Sequence, residues 1–146
     1  MKTLSRTLAV LGAAAILASC SSMHNMMNSG SSSGESVTLT GANEVPAVST
    51  SASGSGMVTV NADHTVTAKI IATGMTATAA HIHQGAKGAN GKVIVPLTKE
   101  GDNHFVSPPG AKLTQEQYDA YKAGNLYVNV HSAAHPGGEV RAQLAP

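Results

Sequence analysis

Residues 80–85 read Ala-His-Ile-His-Gln-Gly, and the spacing of His81 and His83 suits a β-strand. Alternate residues on a strand point to opposite faces, so Ile82 is expected to enter a core while His81 and His83 stand side by side on the other face. Two neutral imidazoles so placed can chelate one transition metal, and imidazole suits copper, zinc or nickel. The alternative is a solvated strand edge that carries two histidines. Further ligands elsewhere in the chain would decide between the two, and the C-terminal segment offers candidates. In Leu126-Tyr127-Val128-Asn129-Val130-His131 the residues 126, 128 and 130 share an apolar face, which leaves Tyr127, Asn129 and His131 on the other. In Glu139-Val140-Arg141-Ala142-Gln143-Leu144 the apolar residues again alternate, and Glu139, Arg141 and Gln143 are expected to face outward. If these strands lie near the histidine pair, His131 provides a third imidazole, and His135, in a loop four residues on, a fourth ligand or a gate. Tyr127, Asn129, Glu139 and Arg141 are candidates for groups that orient the imidazoles, with plain solvated strand positions as the alternative for each.

The elements that must position these residues are short strands. From about residue 36 to 146 the chain is rich in Val and Thr, low in charge and interrupted by Gly/Asn/Pro/Asp clusters, which suits one small all-β domain. Strands are expected at 37–40, 56–60, 65–71, around the histidine pair, and at 93–97, 126–131 and 139–144. Pro46 restricts any central-strand assignment around it, and residues 98–112 read as loop with Pro108-Pro109-Gly110 as a breaker. One helix is signalled over 114–124, where Thr114 and Gln117 match a capping box and Gly124 a C-terminal stop. Seven or so short strands predict an antiparallel Greek-key β-sandwich or barrel with one short helix. With one Phe and no Trp the core must be aliphatic.

The N-terminus speaks to compartment. Lys2 and Arg6 precede a short apolar run, Leu8 to Ala18, which reads as the h-region of a signal peptide. It ends in Leu17-Ala18-Ser19-Cys20, which resembles the lipobox of bacterial lipoproteins, and Cys20 is the chain's single cysteine. The expected organisation is a signal peptide at 1–19, a lipidated Cys20 with a flexible tether to residue 35, and a folded domain at 36–146. No disulfide is then possible, and Ser21 after the cysteine implies, by that resemblance, the outer membrane facing the periplasm, anchored by lipid alone. Without Lys2 and Arg6, seven Lys and Arg residues face eight Asp and Glu, a formal charge of −1 that gives no electrostatic reason to bind nucleic acid. Within the tether, Met23, His24, Met26 and Met27 are soft to borderline donors suited to Cu(I), with low-complexity filler as the alternative.

Four ordered segments carry a wider resemblance: Leu39-Thr40-Gly41-Ala42-Asn43-Glu44-Val45-Pro46, Ala80-His81-Ile82-His83-Gln84-Gly85-Ala86, Tyr127-Val128-Asn129-Val130-His131, and His135 through Leu144. Together they resemble the CHRD domain, the module first named from chordin, from about Val37 to the C-terminus. That domain is in turn similar to the Cu,Zn superoxide dismutase sandwich, in which a His-x-His pair and a late histidine bind copper. The resemblance implies His81, His83 and His131 as copper ligands and, loosely, Arg141 in place of an anion-guiding arginine. The chain departs from the dismutases after the pair, where residues 84–103 contain no histidine and one aspartate, Asp102, so no zinc set is matched.

The expected function is a periplasmic copper-binding lipoprotein that sequesters one copper ion, or delivers it to a copper-trafficking partner, with zinc ranked below copper. The alternatives are a mononuclear copper superoxide dismutase-like enzyme and a metal-free adhesion or interaction module. Binding is placed ahead of catalysis.

Overall fold

A computed structural model describes residues 34–146. The signal segment and the tether residues Cys20, Met23, His24, Met26 and Met27 lie outside the described residues.

The alternation of apolar and polar residues produces nine strands among the described residues: β1 (Glu35–Thr40), β2 (Ser53–Val60), β3 (Val66–Thr73), β4 (Ala77–Gln84), β5 (Lys92–Pro96), β6 (Thr98–Gly101), β7 (His104–Val106), β8 (Leu126–Ser132) and β9 (Val140–Leu144). They form one antiparallel sheet in the order β5-β4-β8-β9-β1-β2-β3-β7-β6. Its two end strands are consecutive in the chain. Leu97, between them, donates its N–H to the Ala80 carbonyl at 3.0 Å, and the Lys99 ammonium reaches the Ala77 carbonyl at 2.7 Å. One bent stretch therefore passes from pairing with β4 to pairing with β7, and the sheet curls into a nearly closed barrel, as the strand-rich sequence predicts. Barrel closure leaves little exposed edge.

The interior is aliphatic, with Leu39, Val58, Ile70, Ile82, Leu126, Val128, Val130, Val140 and Leu144 among its fully buried members. The single helix, α1 (Gln115–Lys122), starts with the expected capping box. The Thr114 hydroxyl accepts from the Gln117 N–H at 3.2 Å, and the Gln117 side chain accepts from the Thr114 N–H at 2.8 Å. The helix buries Tyr121 and stops at Gly124, whose φ of +70° suits glycine.

The segment expected to be loop over 98–112 instead contains β6 and β7 and buries the lone phenylalanine, Phe105. These strands are too short to show a period. What fixes them is Asn103, at φ +59°, whose side chain accepts from the Ala77 N–H at 2.8 Å and donates to the Met75 carbonyl at 2.7 Å. A second difference concerns the outward face of β8 and β9. The alternative of solvated positions fails, because Tyr127, Asn129, Glu139 and Arg141 are all buried.

Candidate metal centre

Register brings the histidines together. On the paired strands β4 and β8, His83 lies opposite Tyr127, His81 opposite Asn129, and Ala79 opposite His131. Side chains on one face of an antiparallel pair touch both directly and diagonally, so His131 reaches His81 across the diagonal, with His81 Nδ1 2.9 Å from His131 Nε2. One nitrogen from each of His81, His83 and His131 lies within 4.8 Å of the others. Ile82, between the pair, points into the core as expected.

The histidine face is roofed by irregular backbone. Residues 85–91 fold over it, and Gly91 must be glycine because a Cβ there would collide with the Gln84 carbonyl. That close approach puts the Gly91 carbonyl 2.9 Å from His83 Nδ1. The turn after β8 does the same for His131, whose Nδ1 lies 3.0 Å from the Pro136 carbonyl. A carbonyl only accepts, so both rings carry their proton on Nδ1 and present an Nε2 lone pair to the cluster. His83 Nε2 is buried without a partner. An orphaned buried acceptor costs about 1–3 kcal/mol, and a metal ion would satisfy it.

Tyr127 and Arg141 complete the floor. The Tyr127 ring stacks on His83 at 4.6 Å and 6°, and its hydroxyl accepts from the Gly91 N–H at 3.2 Å. The Arg141 guanidinium lies 3.3 Å over the Tyr127 ring and donates to the Ala89 carbonyl at 2.9 Å. Being 1% exposed, Arg141 ties the 85–91 roof to the sheet, and the anion-guiding place expected for it is corrected by that burial. Glu139 accepts from the Thr50 hydroxyl at 2.7 Å and makes no hydrogen bond to an imidazole. Two carbonyls, Gly91 and Pro136, hold the rings directly, which no residue-type pattern could reveal. His135 lies in the turn between β8 and β9 and is not part of the three-histidine cluster. His64 stacks on Tyr118, and His104 is exposed.

The structure adds one residue to the candidates. Glu44 is buried beside Asn129, and its Oε1 has no partner. Burial pushes its carboxyl up, against the opposing pull of the Arg141 guanidinium and the Asn129 amide. A lone acid in the apolar run Gly41–Val48 was the only available signal.

The electrostatics suit metal binding. Burial, then the neighbouring imidazoles of His131 and His83, lowers the His81 pKa to about 4. Burial also lowers His83 and His131, partly offset by their carbonyl hydrogen bonds. Three neutral imidazoles at neutral pH are three free bases, the form a metal requires.

An antiparallel barrel with a roofed three-histidine cluster on one face defines a β-domain able to hold a metal ion. The family model for the CHRD domain matches residues 36–144, and the chain belongs to that family. Neither a curated protein nor a solved structure matches the chain.

Proposed function

We propose that the domain holds one copper ion through His81, His83 and His131 and serves to sequester or deliver it. The observation that carries this is the pair of carbonyl-fixed rings, His83 and His131, together with the buried His83 Nε2, which has no hydrogen-bond partner. Metal–imidazole bonds of about 2.0–2.1 Å place neighbouring ligand nitrogens about 3 Å apart, and His81 Nδ1 and His131 Nε2 are at 2.9 Å. Small ring movements bring in His83. At nitrogen sites copper outranks zinc, which favours copper. When bound, the ion supplies a redox-active Lewis acid; the chain supplies rings of fixed tautomer and a largely dry floor. His81 is half-buried, so the metal is approached from its side.

Binding is preferred to dismutation because Arg141, the one candidate for steering an anion, is buried under the roof. The lipobox-like Leu17-Ala18-Ser19-Cys20 and Ser21 support an outer-membrane, periplasm-facing lipoprotein, in the compartment where a copper-trafficking partner would meet it. Titration with Cu(II) followed by a superoxide turnover assay tests the proposal. One equivalent is expected to bind tightly, with turnover no higher than free copper gives. No saturable binding would overturn the metal reading, and turnover well above free copper would favour the enzyme.

A further inference from the structure

We propose that Glu44 is a positioning residue of this metal centre, acting through Asn129. The inference rests on the metal reading above and adds a residue to it. Three buried polar atoms lack partners along one line of neighbours: His83 Nε2, Asn129 Oδ1 and Glu44 Oε1. All three are acceptors. Asn129, 1% exposed, stands between the other two and is the only one that also carries donors. Both Glu44 Oε1 and Asn129 Nδ2 crowd the same space beside Gly138, where a Cβ would strike each of them. The amide NH2 end thus faces the carboxylate. The Oδ1 end is on the His83 side, and neither it nor His83 Nε2 has a hydrogen-bond partner.

Gly138 has a φ of +129°, a conformation open to glycine, and without a side chain it lets the carboxyl and the amide approach across it. The segment 43–45 is held in place by Asn43, which donates to the Arg141 carbonyl at 3.2 Å, and by Asn90, which donates to the Val45 carbonyl at 2.7 Å. Glu44 therefore comes from a different part of the chain than the histidines and meets the site at Asn129, with Arg141 also near its carboxyl. The carboxylate keeps the amide from turning over. A turned amide would point N–H donors at His83 Nε2, competing with the metal for the lone pair. With Glu44 in place, the amide presents its oxygen rather than its N–H groups on the His83 side.

The test is a double-mutant cycle on the full-length chain with Cu(II) alone as probe. Glu44→Ala is expected to weaken Cu(II) affinity about 10- to 100-fold, the usual effect of losing such an outer partner, and to shift the copper hyperfine splitting in electron paramagnetic resonance. Glu44→Gln, which keeps the shape but adds a competing amide, should produce a smaller shift in the same direction. In an Asn129→Ala background, Glu44→Ala should add nothing. A purely structural role would change melting temperature without moving the spectrum. If the wild type binds no copper, the metal reading falls and this inference with it. If the wild type binds and both Glu44 variants match it in affinity and spectrum, this inference alone falls. Additive losses in the Asn129→Ala background would also overturn it, since the path would not run through Asn129.

Discussion

Strands β3 and β8 alternate almost equally well in sequence, yet they end in opposite environments. On β3, Val66, Ala68, Ile70 and Ala72 are buried while Thr67, Lys69, Ile71 and Thr73 are exposed. On β8 every residue from Leu126 to Ser132 is buried. The inner faces do the same work in both strands. The difference lies outside the barrel, where residues 41–48, 85–91 and 133–138 roof the Tyr127-Asn129-His131 row and nothing comparable covers β3. Burying that row requires partners for every polar group, and nearly all find them in carbonyls, rings or amides. Those left over include Asn129 Oδ1 in the row, His83 Nε2 beside it and Glu44 Oε1 in the roof. A strand that spends polar residues on a covered face is positioning chemistry.

Substitutions that act on only one of the two faces can break this contrast. The largest effect is expected from Arg141→Ala, which detaches the roof from Tyr127 and strands the Glu44 carboxyl; removal of one partner from a buried charged network typically costs about 3–5 kcal/mol. Urea denaturation of the metal-free protein would measure it, and a loss under about 1 kcal/mol would mean that the roof does not depend on Arg141. Next is Gly138→Ala, placed where a Cβ meets Glu44 and Asn129. Backbone strain alone costs about 1–3 kcal/mol, and the collision adds to it. Gly88→Ala is the control: φ there is +79° but the space is open, so only the left-handed penalty of about 1–2 kcal/mol applies. Equal losses at the two glycines would remove the crowding argument.

A smaller effect should follow pH. The His81 pKa is lowered to about 4 from its ordinary 6.5, and His83 and His131 are also lowered. The unfolded chain therefore binds these protons first as pH falls. Stability of the metal-free protein is fully present above pH 6.5 and declines as pH drops toward 4. Thermal melts across that range should show the decline, and His81→Gln should flatten part of it; because His81 is half-exposed, solvent moderates the size. Smallest of all is Ile71→Thr on the open face of β3, 43% exposed, for which a change within about 0.5 kcal/mol is expected in the same denaturation experiment.

Much of the frame was legible in the sequence. Seven strands, the capped helix and the inward turn of Ile82 follow from period and caps, because those signals are local. The pairing of β6 with β7 was not, since three- and four-residue strands carry no period and depend on Asn103 gripping a distant segment. Of the site, the three histidines were legible because side-chain identity and strand parity suffice to put them on one face. Their carbonyl partners were not: any residue has a carbonyl, and only the close approach at Gly91 and the turn at Pro136 aim those two. Burial of Arg141 was hidden for a similar reason, since alternation says which face a residue takes but not whether that face is covered.

The central claim, one mononuclear site built from His81, His83 and His131, is tested most directly by electron paramagnetic resonance of the Cu(II)-loaded protein. Nitrogen superhyperfine structure should report three imidazoles in the wild type and two in each of His81→Ala, His83→Ala and His131→Ala. A spectrum that stays unchanged in all three variants would contradict it.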